Sequence, residues 1–93
     1  MRRGRLEDLS MGELVEHFVA IALAQDHAML HDENAKYRRL YHEMDSLEQE
    51  LKSRPGDQRH VLVSLFNHPN AQVRLTAALA TLALALEAAR RTL

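Results

Sequence analysis

Apolar residues recur at steps of three and four in four separate stretches of the chain, the spacing of one face of an α-helix. In the first, Leu14, Phe18, Ile21, Ala28 and Met29 form the stripe, and the pattern predicts a helix from Ser10 to about Leu30. Its start is marked by Ser10-Met11-Gly12-Glu13, the spacing of a capping box. There the serine hydroxyl accepts from the Glu13 amide and the Glu13 carboxylate reaches back to the Ser10 amide. Leu9 and Leu14 sit at the staple positions on either side. After a break at His31-Asp32-Glu33-Asn34, either Asp32 or Asn34 suits the cap of the next helix. That second helix sets Tyr37, Leu40, Tyr41, Met44, Leu47 and Leu51 on one face. Its other face is charged, with Glu48–Lys52 and Glu50–Arg54 as acid-to-base pairs one turn apart.

Ser53-Arg54-Pro55-Gly56-Asp57 is the second break. Pro55 ends the preceding helix and suits the first turn of a short third helix, running to about Asn67 with Val61, Leu62, Leu65 and Phe66 inward. Asn67-His68-Pro69-Asn70 is a tight turn with Asn70 as the following cap. The fourth helix runs from Ala71 to about Leu86 or beyond and is apolar on two opposed sides. One side is small (Val73, Ala77, Ala80, Leu84) and the other is a leucine ridge (Leu75, Leu79, Leu82, Leu86). A helix apolar on two sides is sandwiched between neighbours. The pattern therefore predicts an all-α fold of two antiparallel helix pairs. Two prolines, three glycines and only four Phe or Tyr residues point the same way.

At 93 residues the chain makes one domain, expected over residues 10–93 behind a flexible basic arm at 1–9. The arm opens Met1-Arg2-Arg3-Gly4-Arg5, but Leu6-Glu7-Asp8 follows where an export signal needs an apolar run. No run of 18 apolar residues occurs, and there is no cysteine for a disulfide or a thiolate site, so the expected location is the cytoplasm. A net charge of −1 argues against a protein that grips nucleic acid through a strongly basic surface.

From Leu62 to Leu82 the sequence resembles one HEAT repeat: a leucine-rich helix, a turn with Pro69 and Asn70, then Val73-Arg74 and an alanine-rich second helix. The resemblance implies that Arg74 and Asn70 hold the turn rather than a ligand. From Leu9 onward the chain resembles a small bacterial family catalogued as a domain of unknown function, number two thousand and nineteen. Glu13-Leu14-Val15-Glu16, Ile21-Ala22-Leu23-Ala24-Gln25-Asp26 and Arg54-Pro55-Gly56-Asp57-Gln58-Arg59 carry that likeness. It implies a HEAT-like α-α superhelix of four to five helices and brings no activity, ligand or site.

Candidate chemistry is sparse. His27 and His31 share one helix face at metal-ligand spacing, but Leu23, Ala24, Asn34 and Ala35 stand where a third ligand is needed, so no metal and no cofactor are expected. No catalytic signature or glycine-rich phosphate loop occurs, and the expectation is that the protein is not an enzyme. Gln25 falls inside the apolar stripe of the first helix, where a buried amide needs partners. The leading function is binding of a protein or peptide, with Arg38, Arg39, His42 and Asp45 on the second helix as the candidate partner-binding residues. The alternative is a nucleic-acid-associated HEAT-like protein, which a continuous basic groove would favour. The two-sided fourth helix adds an expectation of self-association, most simply a symmetric homodimer that covers Leu82, Leu84, Leu86 and Leu93. Leaving even two such leucines in water forfeits roughly 3–6 kcal/mol of burial. The competing arrangement has the first three helices wrap the fourth completely.

Overall fold

The computed structural model describes residues 5–92; Met1–Gly4, the leading part of the expected arm, and Leu93 lie outside the described residues. The fold is all-α. A 3-10 turn at Leu6–Asp8 precedes helix α1 (Met11–Leu30) and helix α2 (Asn34–Ser53); a 3-10 helix at Gln58–Asn67 then leads into helix α3 (Ala71–Thr92). α1 packs on α2, and the 3-10 helix packs on α3. The two pairs meet through α1 against α3 and α2 against the 3-10 helix.

The core lies where those contacts converge. Leu14, Phe18, Ile21, Gln25 and Ala28 of α1, Leu40, Met44, Leu47 and Leu51 of α2, and Val73, Ala77 and Ala80 of α3 are buried at alternating steps of three and four. Met29 and Tyr41, expected in these stripes, each sit one residue past a buried position, and the extra 100° of rotation turns them to solvent. By length and composition α3 is also long and apolar enough to cross a membrane. Its buried face ties it into this core.

Both reciprocal bonds of the capping box are present. Ser10 N donates to Glu13 Oε1 at 2.8 Å and Glu13 N donates to Ser10 Oγ at 3.1 Å. α1 ends in a Schellman arrangement: Asp32 adopts a left-handed conformation at φ 56°, and the Glu33 amide donates back to Ala28 O at 2.9 Å. This corrects the expected cap of α2. Asp32 is consumed in closing α1, Asn34 is already helical, and Glu33 takes the N-cap position without a side-chain bond.

The third helix also departs from expectation. Arg54-Pro55-Gly56-Asp57 is a turn closed by Asp57 N donating to Arg54 O at 2.9 Å, with Pro55 second and Gly56 at φ 81° third, the geometry of a type II turn. Pro55 therefore precedes the helix rather than starting it. The helix that follows is 3-10, and its buried residues Arg59, Leu62 and Leu65 fall at a strict step of three, the period of that helix. Phe66, off this line, is exposed. Asn70 caps α3 as expected, its Oδ1 accepting from Val73 N at 3.1 Å.

Leu6 and Leu9 lie within the stretch read as a flexible arm, yet both pack against the core. Arg54 holds them: its Nη2 donates to Leu6 O at 3.1 Å and to Leu9 O at 2.8 Å, while its Nε pairs with Glu50 at 2.9 Å. The expected Glu50–Arg54 pair thus gains a second duty. The expected Glu48–Lys52 pair is replaced, because Lys52 reaches across to Glu87 of α3 at 3.2 Å.

Ser10→Ala removes one half of the capping box and is expected to cost about 0.5–2 kcal/mol. A lower urea midpoint at unchanged slope is the expected readout; an unchanged midpoint overturns the assignment.

Candidate functional site

Between α2 and α3 runs a groove of about 340 Å³, floored by Gln25 of α1 with Met29 of the same helix at its rim. Tyr37, Tyr41, Met44, Asp45 and Glu48 form the α2 wall, and Gln72, Leu75, Thr76 and Leu79 form the α3 wall. The groove exists because α1 carries both of its neighbours on the same side. The seam residues of α2 and α3 turn toward that shared floor and leave their flanks open.

Gln25 is 3% exposed and is the one polar residue of the α1 seam. Its Oε1 accepts from Gln72 Nε2 at 3.4 Å, and Gln72 Nε2 also donates to Thr76 Oγ1 at 3.3 Å. This short amide–hydroxyl chain satisfies a buried acceptor and joins α1 to α3. Glu48 sits half-buried on the opposite wall. Burial pushes its carboxyl above the ordinary value of 4.5, the neighbouring charge of Asp45 adds to the rise, and Arg59 opposes it.

The outer rim is apolar. Met29 is 50% exposed and Tyr41 60%, and the ridge of Leu75, Leu79, Leu82 and Leu86 lies at 54–58%. The sandwich expected around α3 is therefore closed on its small-residue side only.

The four residues singled out from sequence are all exposed on α2. They do not form one cluster. Arg39 Nε lies 3.9 Å from Glu43, His42 meets the Tyr41 ring edge-on at 6.0 Å, and Asp45 alone of the four reaches the groove. Sequence reasoning missed Met29 and Tyr41 as rim residues. The signal was present in the step of three or four that each breaks.

His27 and His31 stack with ring centroids 4.1 Å apart. His31 Nδ1 lies 2.8 Å from His27 O, and His27 Nδ1 lies 3.6 Å from Glu33. Among the described residues no group of three or more His, Cys, Asp or Glu is placed to hold a metal ion. Arg74 Nη1 donates to His68 O at 2.7 Å and to Pro69 O at 3.0 Å, so its side chain is spent on the turn before α3.

A second polar assembly sits at the corner between the two helix pairs. Arg59, 5% exposed, donates from Nε to Asp57 Oδ1 at 2.9 Å, from Nη2 to Asp57 Oδ2 at 2.7 Å, and from Nη2 to Glu87 Oε1 at 2.6 Å. The bidentate fork holds the Asp57 carboxyl below its ordinary value, and hydrogen bonds from Arg59 and Lys52 do the same for Glu87. Both carboxylates bonded to this guanidinium come from the same chain, which marks the assembly as a structural clamp.

A family model described as "Domain of unknown function (DUF2019)" matches residues 12–93. Among solved structures the chain is similar to the crystal structure of the protein RPA1889 from Rhodopseudomonas palustris CGA009. The two are 42% identical with a TM-score of 0.84, over 96% of this chain and 74% of that one. No curated protein matches the chain.

Two measurements check this electrostatic picture. Arg59→Met strands two carboxylates that still reach water, so the expected result at neutral pH is a clear cost in stability, read as a lower melting midpoint. Because Asp57 and Glu87 are held below their ordinary values of 3.8 and 4.5, that cost is complete above those values and fades as pH falls below them through the lowered folded values. A cost that does not change with pH refutes the clamp. Glu48 carries the opposite sign: raised in the folded state, its ionisation opposes folding. Glu48→Gln is expected to raise the melting midpoint at neutral pH, with the gain shrinking as pH falls through the raised folded value and gone by the ordinary 4.5. A lower midpoint at neutral pH refutes it.

Proposed function

The chain belongs to the DUF2019 family of domains of unknown function, and from that premise we propose that it is a non-enzymatic protein-interaction module. In this reading the two helix pairs form a HEAT-like unit that recognises a protein or peptide partner by shape. The observation that carries it is the continuous apolar face on α3 and the groove beside it. Single exposed leucines are ordinary on a protein surface, but four in one straight line beside an aromatic-rimmed groove make a contiguous patch.

The geometry suits a helical partner. A groove between two helices accepts a third whose apolar side chains recur at i, i+3 or i+4, and i+7. Gln25, already held by Gln72, fixes one polar point on the floor. Arg38, Arg39 and His42 stand outside the groove and steer encounter, while Asp45 belongs to its wall. The reading needs neither cofactor nor metal and places the protein in the cytoplasm. The nucleic-acid alternative draws no support from this face, because Asp45 and Glu48 put carboxylates where phosphates would have to lie.

Selection of short helical peptides from a displayed library tests the proposal. Enriched sequences are expected to share the i, i+3/i+4, i+7 apolar pattern. Their affinity should fall about tenfold or more for Tyr41→Glu and stay within about twofold for Arg38→Ala. Failure to enrich any such pattern, or binding indifferent to Tyr41→Glu, refutes it.

A further inference from the structure

We infer that the leucine ridge of α3 is covered by the ridge of a second copy of this chain, packed antiparallel about a two-fold axis that passes between Leu79 and Leu82. The inference rests on the interaction reading above and names the occupant of the ridge.

Three observations single out a second copy. The first is spacing. Leu75, Leu79, Leu82 and Leu86 follow one another at steps of four, three and four, a pattern that reads the same in both directions. An antiparallel copy therefore brings Leu79 level with the partner's Leu82 and Leu75 level with the partner's Leu86, so the patch is self-complementary, as a two-fold contact requires.

The second is charge. Residues 75–86 carry no charge, while Arg74 precedes the ridge and Glu87 follows it. The ridge therefore brings no charge of its own against a second copy, while Arg74 and Glu87 stay engaged within their own chain. The helix dipoles oppose one another in the antiparallel arrangement.

The third is area. α3 spans 22 residues, about 33 Å, and a strip of helix width along it covers roughly 350 Å². Extending the contact across the groove flank to Tyr41 and Met29 doubles the width, so two copies bury roughly 1,400 Å², within the ~1,200–2,000 Å² of stable pairs. The ridge alone falls short of that range, so the flank belongs to the interface.

The test uses the full chain. Light scattering after size-exclusion chromatography, over about a hundredfold dilution from near millimolar, is expected to give the mass of a dimer at the concentrated end. Leu82→Glu lies outside the groove lining and outside the core. It is expected to give a monomer throughout, with the helical circular dichroism and melting of a folded chain. The sequence has no cysteine of its own, so the register is read from introduced thiols. A mixture of Leu75→Cys and Leu86→Cys chains is expected to cross-link under a mild oxidant at least tenfold faster than Leu75→Cys alone. Wild-type protein that is monomeric at every dilution, or Leu82→Glu protein that stays dimeric, overturns the inference. So does faster cross-linking of Leu75→Cys with itself. Flotation of monomeric protein with phosphatidylcholine–phosphatidylglycerol vesicles overturns it in favour of a lipid surface. The dimer shares the Tyr41 flank with the groove, so peptide binding is measured on the monomeric Leu82→Glu chain: peptide bound there while wild-type protein never dimerises overturns the dimer alone, and a wild-type dimer beside a monomer that takes no helical peptide refutes the groove alone.

Discussion

The buried guanidinium of Arg59 is the constraint around which the two helix pairs are arranged. A cation at 5% exposure is tolerated only when carboxylates meet it, and Asp57 and Glu87 both accept from its Nη2. Asp57 belongs to the corner that follows α2, and Glu87 to the last turns of α3. One side chain thereby fixes the direction in which the chain leaves the first pair and the distance at which the second returns. Lys52, on the end of α2, reinforces the same link through Glu87. The spacing of α2 from α3 follows from that link, and so does the width of the groove between them.

Periodicity carried most of the fold, and its failures have specific causes. The capping box at Ser10, the Asn70 cap and the extents of α1 and α2 were legible, because each rests on local bonds within one turn. The 3-10 character of Gln58–Asn67 was not. Leu62, Leu65 and Phe66 suit an α-helical face equally well, and only the burial of Arg59 on the line of Leu62 and Leu65 decides for a period of three. An arginine is not read as a core residue until its acids are seen beside it. The stretch from Arg54 to Arg59 resembled the family without stating a purpose. The structure supplies one: Arg54 holds the N-terminal turn, Pro55 and Gly56 make the bend, and Asp57 and Arg59 lock it.

The candidate face was legible in outline only. The ridge of α3 stood out as a second apolar stripe, but whether neighbours cover it is a tertiary fact. α1 is the helix that decides it. By taking α2 and α3 onto one side, it buries Ala77 and Ala80 and leaves the opposite leucines in water. The charged residues of α2 drew attention because they are varied in type. They are separated in space, and Asp45 alone joins the groove. Gln25, placed in the seam by its position on the helix, is buried there and bonded to the neighbouring helix as its chemistry demands.

The hold of Arg54 on Leu6 and Leu9 has a kinetic consequence. Contacts within each helix pair join residues close in sequence and close early, at little loop entropy. The bonds from Arg54 to the N-terminal turn bridge more than forty residues, and they need the end of α2 in place before they form. The turn at Leu6–Asp8 is therefore held from the end of α2 as well as by short-range bonds of its own. Lifting it removes one lip of the shallow depression that it shares with Glu13, His17 and Glu43, while both helix pairs stay folded.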